Sequence, residues 1–237
     1  MRSMLSRCKK EQFQLPEGIC PELEMRLGIF SGQTLALQET LMKFEENLTS
    51  VLEKDKGGPQ GLYTKATVTL DPDTANPHLV LSADRRSVRW EDTQHPVPNN
   101  PERFYTDSCV LGHEGFTSGR HCWEVEVGQG AWAVGVARES VRRKEQIRFS
   151  PEEGIWVVQC WGNQVWALTA PAATPLSLCQ APRRVQVCLD RAGGWVFFLD
   201  ADTEALIFTF PPALFAGDRI RPWFRVYGTG AMLRLCY

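Results

Sequence analysis

The sequence predicts a mainly β protein: an antiparallel β-sandwich preceded by an N-terminal coiled-coil helix. Three observations carry that expectation. Residues 1–58 contain neither Trp nor Tyr, whereas all eight tryptophans lie between Trp90 and Trp223. Apolar residues recur with a helical period in the first part and with a period of two in the second. The stretch between them, "KDKGGPQG" at residues 54–61, carries glycines and a Pro59 that cannot continue a helix. The chain is therefore read as 1–58, the end of a coiled coil with its linker, and 59–237, a β-sandwich domain. A length of 237 residues with 43% hydrophobic content is enough to bury such a core.

In the first part, Leu23, Leu27, Phe30, Thr34, Leu37, Leu41, Phe44, Leu48 and Val51 follow alternating steps of four and three. That is the a/d register of a coiled coil, with Thr34 its one polar position. Pro21 suits a first helical turn, and Glu22 and Glu24 complement a helix N-terminus. Gly28 and Gly32 weaken the pattern, each by about 1 kcal/mol against Ala. Two readings stay open: a self-associating helix that makes a homodimer, or an amphipathic helix packed on its own domain.

In the second part, short alternating runs read as strands at 66–70, 78–82, 87–90, 121–127, 132–137, 154–161, 164–169, 184–190, 194–199, 205–210, 220–227 and 231–236. Turn residues separate them: Gly162-Asn163 spaces two runs as a hairpin turn would, and Gly193-Gly194, residues 200–203 and 228–230 punctuate others. Many short strands without an intervening helical period mean stacked antiparallel sheets.

Composition narrows the function. A formal charge of -2 gives no general reason to bind nucleic acid or an anionic membrane. The densest basic run, "RESVRRKEQIR" at 138–148, is broken by Glu139 and Glu145 and reads as a solvated loop or helical turn. With no apolar run long enough for a secretory core or a membrane span, the expected location is cytoplasmic. Eight cysteines occur without one CxxC pair, which favours reduced, mostly buried thiols over zinc or disulfides. His121 and Cys122 are neighbours on a strand, point to opposite faces, and cannot easily share a metal. No metal and no cofactor are expected.

One constellation tests for catalysis. Glu124 and Glu126, in "WEVEVG", stand two apart on a strand and so share a face, as a glycosidase acid pair would. Jelly-roll glycosidases use Glu-x-Asp-x-x-Glu, and here Gln129 stands where the last carboxylate should be. The plainer reading places both glutamates in solvent and Trp123, Val125 and Val127 in the core. Neither "GQG" nor "GTG" extends to GxGxxG, "GHEG" lacks the second His of HExxH, and a GxSxG elbow is missing.

The runs "LDPDTANPHLVLSADRRSVRW" (70–90), "RFYTDSCVLGHEGFTSGRHCWEVEVG" (103–128), "WAVGVARESVRRK" (132–144), "FSPEEGIWVV" (149–158) and "RVQVCLDRAGGWVFFLDADTEALIFTF" (184–210) resemble, in order and spacing, the motifs of a PRY-SPRY domain. This concanavalin-like jelly roll ends many tripartite-motif (TRIM) ubiquitin ligases and butyrophilins. "LSRCKKEQFQLPEGICPELEMRL" (5–27) is similar to the end of a TRIM coiled coil. Where relatives read close to "SFYN", this chain has Val196-Phe197-Phe198-Leu199, and its cysteines do not space a RING finger or B-box.

The resemblance implies a non-enzymatic module that binds a protein or peptide segment in a shallow, loop-lined pocket. It would be the substrate-recruiting part of a TRIM-type ligase, with innate-immune or regulatory targets, or a RING-less relative that competes with full-length ligases through the coiled coil. Carried over motif by motif, the pocket positions fall on Asp107, Cys109, Ala133, Phe149, Gln159, Trp161, Arg225 and Tyr227. Strand parity supports part of this, since Val157, Gln159 and Trp161 share one face and Trp156, Val158 and Cys160 the other. Arg85 and Arg86, in "SADRRS", read as turn charges.

Overall fold

A strand buries only one stripe of side chains, so a chain of short alternating strands must stack two sheets to hide its apolar positions. The computed structural model describes residues 63–162, 164–215 and 217–236. The heptad segment, Cys8, Cys20 and the proposed boundary at residue 59 lie outside them. The strands, in chain order, are β1 (Thr64–Lys65), β2 (Leu79–Leu81), β3 (Ser87–Trp90), β4 (Cys109–Leu111), β5 (Arg120–Val127), β6 (Ala131–Arg138), β7 (Ile155–Trp161), β8 (Gln164–Ala167), β9 (Thr174–Leu176), β10 (Arg184–Asp190), β11 (Trp195–Asp200), β12 (Leu206–Phe210), β13 (Ile220–Tyr227) and β14 (Met232–Cys236). Among the described residues there is no α-helix, only a 3-10 turn at Pro151–Glu153. None of these residues forms a helix long and apolar enough to cross a membrane.

One sheet runs β12-β11-β10-β5-β14-β3-β2, with the short β1 lying parallel beside β5. The other runs β4-β13-β6-β7-β8-β9 and is antiparallel throughout. Between them lies the main core. Trp123 and Val125 of β5, Val185, Val187 and Leu189 of β10, and Phe198 of β11 meet Val134 and Val136 of β6, Trp156 and Val158 of β7, and Phe224 and Val226 of β13. The alternation expected on β5 holds: Trp123 and Val125 are buried, while Glu126 is exposed and Glu124 partly so.

A second apolar cluster covers the outer face of the six-stranded sheet. Cys109, Leu111, Ala133, Ala137, Ile155, Val157 and Trp223 project there, and Phe104, Val141 and Ile147 close over them. This corrects the reading of residues 138–148 as a solvated loop. Val141, Arg143 and Ile147 are buried, every second to fourth residue turning down onto the sheet while Arg142 and Glu145 stay in solvent. Charge density along the run concealed those apolar anchors.

Two buried arginines fasten the segment before β5, Arg221 to the six-stranded sheet and Arg103 within the segment itself. Arg221 of β13 pairs with Asp71 at 2.7 Å and donates through Nε to the Gly112 carbonyl at 2.8 Å. Arg103 donates to the carbonyls of Pro98, Pro72 and Ala75 at 2.7–2.8 Å. Arg103 and Arg221 are thus matched by acceptors, without which burying them would be prohibitive.

Residues 66–70 differ from expectation. Val68 and Leu70 are buried as the alternation required, but the stretch is not a ladder strand. Its groups are satisfied one by one: Ala66 donates to Cys122, Leu70 to Arg85, and Thr69 to the Glu114 carboxylate. The described cysteines are free, with Cys109, Cys122, Cys160 and Cys188 buried, and no group of three or more His, Cys, Asp or Glu among the described residues could hold a metal.

Candidate functional site

Cross-strand partners in a sheet share a face, so the pairing register decides which side chains can meet. Four candidate residues fall on one row: Cys109 of β4 opposes Arg225 of β13, Arg225 opposes Ala133 of β6, and Ala133 opposes Gln159 of β7. Two positions further along the same strands stand Tyr227 and Trp161. The row lies on the outer face, beside the second apolar cluster.

Small side chains in the middle strand let the outer strands touch. Arg225 and Gln159 are two strands apart, about 10 Å between backbones. The Ala133 methyl between them leaves room for Arg225 Nη1 to reach Gln159 Oε1 at 3.5 Å. Ala131 sits opposite Tyr227 in the same way, and the Tyr227 and Trp161 rings stack at 6.0 Å and 17°. At the hairpin between β7 and β8, which pairs Trp161 with Gln164, Gly162 takes the left-handed conformation (φ +63°) that a two-residue connection demands.

Rings hold the arginine in place. Its guanidinium lies 5.1 Å from the Phe149 ring centre and 5.9 Å from that of Tyr227, and Phe149 meets Trp223 edge-on at 5.1 Å. Trp161 is 53% exposed and Tyr227 45%, unusual values for large aromatic side chains. Asp107 lies at the margin, its Oδ2 accepting from the Ile147 amide at 3.3 Å.

The eight candidates are thus not equivalent. Cys109 and Ala133 are wholly buried and can serve only as floor. Burial, helped by Asp107, pushes the Cys109 thiol well up, so it is not a thiolate nucleophile. Phe149, Gln159 and Arg225 are half-buried, and Trp161 and Tyr227 form the accessible surface.

Two residues beyond those candidates extend the ring row. Trp90, ending β3, packs 5.4 Å from Tyr227, and His78 stacks on Trp90 at 5.7 Å and 14°. The row therefore passes from the six-stranded sheet to an edge of the eight-stranded one. Trp90 was legible as a strand-end aromatic, but its meeting with Tyr227 depends on long-range topology.

The glutamate pair sits elsewhere. Glu124 is held by Lys65 at 3.3 Å and Arg184 at 3.4 Å, and Glu126 faces Arg184 and Arg234 across its neighbouring strands. Alternating charge on a solvated strand face explains both residues. A separate recess of about 230 Å³, lined by Pro101, Glu102, Glu139, Ser140, Val141 and Arg143, is polar and lies apart from the ring row.

Two stacked antiparallel sheets that carry an exposed aromatic row with a half-buried cation define a β-sandwich display domain. Family models place it further: residues 68–116 match PRY, the SPRY-associated domain, and residues 120–237 match the SPRY domain. The chain belongs to the PRY-SPRY family, whose domains are generally protein-interaction modules. Over 233 residues it is 45% identical to the pig E3 ubiquitin-protein ligase TRIM15, covering 97% of this chain and 48% of that protein. It is 40% identical to human zinc finger protein RFP, covering 95% and 44%. With bovine butyrophilin subfamily 1 member A1 it shares 51% identity, over 69% of this chain and 31% of that one. The chain spans about half or less of the length of these relatives. The fold is shared with the crystal structure of the TRIM65 PSpry domain, at a TM-score of 0.62 and 23% identity, over 73% of this chain and 94% of that one.

Proposed function

We propose that this chain is a protein-recognition module that grips a segment of a partner protein on the Trp161, Tyr227 and Arg225 face. One observation carries the reading: two large rings, stacked and about half exposed, continue from a guanidinium that lies 5.9 Å from the Tyr227 ring and is already ordered by Phe149 and Gln159. Trp, Tyr and Arg are the residues that dominate binding energy at protein interfaces. Their mutual packing lowers the entropy that a partner must overcome.

In this reading Phe149, Cys109 and Ala133 support the surface, and Asp107 and Gln159 set polar contacts at its margin. The module would be the substrate-recruiting part of a TRIM-type ubiquitin ligase, or of a RING-less relative acting in the cytoplasm. Homodimerisation through the heptads would pair two weak sites and add avidity toward a multivalent partner.

Proximity labelling in cells with the full chain and with Trp161→Ala tests this. Partners enriched by the wild type should be lost from the variant, whose melting temperature should not change because its side chain is half exposed. An identical set of partners from both chains rejects the site.

A further inference from the structure

Arg225 stands apart from the other interior arginines. Arg221 has the Asp71 carboxylate, Arg143 has Glu102, Arg138 has Asp218 at 2.8 Å, Arg103 has three carbonyls, and Arg191, which lies over the Phe215 ring without a carboxylate, has the Asp218 carbonyl at 2.8 Å. Among the described residues Arg225 meets no carboxylate within ion-pair distance, and its one hydrogen bond is to a neutral amide at 3.5 Å. Its Nε, like those of Arg143 and Arg191, is buried without a hydrogen-bond partner among those residues, so the difference lies in its Nη atoms, which have neither a carboxylate nor a short bond to a carbonyl. Asp107, the acid of the candidate set, directs Oδ2 to the Ile147 amide instead. A half-buried cation held between ring faces without a counter-charge costs free energy, and a guanidinium fork favours a carboxylate.

We infer that Arg225 selects a carboxylate from the partner, specifically an Asp or Glu side chain within an extended segment that also lays an apolar residue on Trp161 and Tyr227. This rests on the recognition reading above and deepens it. An internal acid is specified rather than a chain terminus because rings continue on both sides of the cation. Phe149 lies to one side, and Tyr227, with Trp161 and Trp90 beyond it, to the other. A segment can therefore run past Arg225 rather than end at it. The neutral Gln159 at its side can donate or accept and so tolerates the incoming oxygen.

The test is selection of random peptides displayed on phage against the immobilised full chain. It is followed by fluorescence anisotropy with the selected sequences made as C-terminally amidated peptides. Peptides that lose binding on Trp161→Ala should carry an Asp or Glu next to an apolar residue. Changing that acid to its amide should weaken binding to the wild type about tenfold or more. Arg225→Gln should bind acid and amide peptides equally, and Arg225→Lys should keep part of the preference. Trp161-dependent peptides without an acid, or an acid-to-amide change without effect on the wild type, overturn the inference and leave the recognition face standing. The amide comparison on the wild type needs no variant to fold. Selected peptides that all ignore Trp161 overturn both.

Discussion

At the scale of single residues, register creates neighbours that the sequence does not show. Cys122 and Cys188 lie 66 positions apart and are direct partners across β5 and β10. The Cys188 thiol donates to the Cys122 sulfur and, with Lys65 near, lowers Cys122 to about 7, while Cys188, left as donor and buried, is pushed far up. A thiol in the unfolded chain titrates near 9.0. Between about pH 7 and pH 9 the native state therefore holds fewer protons than the unfolded state, and stability should rise with pH across that window. Below the window the contribution is lost. Denaturant unfolding at several pH values should show the rise in the wild type and a flatter profile in Cys188→Ala, which removes the donor. Scattered cysteines predicted reduced, buried thiols, and four of the six described are buried; the opposition of Cys122 and Cys188 was not legible, because strand pairing is non-local.

At the scale of elements, packing between strands sets tighter limits than propensity does. Gly135 of β6 lies between Trp223 of β13 and Val157 of β7. A methyl group there would overlap the Trp156 carbonyl and come within 2.8 Å of Val157 Cα. Gly135→Ala should therefore destabilise the domain by ~1–3 kcal/mol, measured by denaturant unfolding, although Ala is otherwise tolerated better than Gly in a strand. Strands with long alternating runs, such as β5, β7, β10 and β13, were legible nearly residue by residue. The short β4, "CVL", offers too few positions for a period, and Pro175 within β9 argues against a strand unless the strand is at an edge, where β9 lies. Residues 66–70 show the converse, an alternation produced by burial without a ladder.

At the scale of the whole molecule, the sandwich and its family were legible because motif order and spacing survive where individual loops do not. The arrangement of the candidate site was legible in part. Parity placed Gln159 and Trp161 on one face, but the contact of Arg225 with Gln159 across an alanine, and the continuation of the rings to Trp90 and His78, require the folded topology. The heptads predict behaviour at the same scale. Light scattering should give two chains per particle for residues 1–237 and one for residues 59–237, with the shorter chain unfolding in a single cooperative transition. A full chain that stays monomeric at high concentration removes the avidity argument while leaving the proposed recognition face untouched.

That face is tested most directly by hydroxyl-radical footprinting of the full chain with and without a bound partner or selected peptide. Trp161 and Tyr227, exposed and reactive when free, should be protected on binding, while Leu206 and Leu214, exposed away from the ring row, should be modified at the same rate in both states. Protection confined to Leu206, Leu214 or the Glu124 strand face, with Trp161 and Tyr227 unchanged, would contradict the assignment.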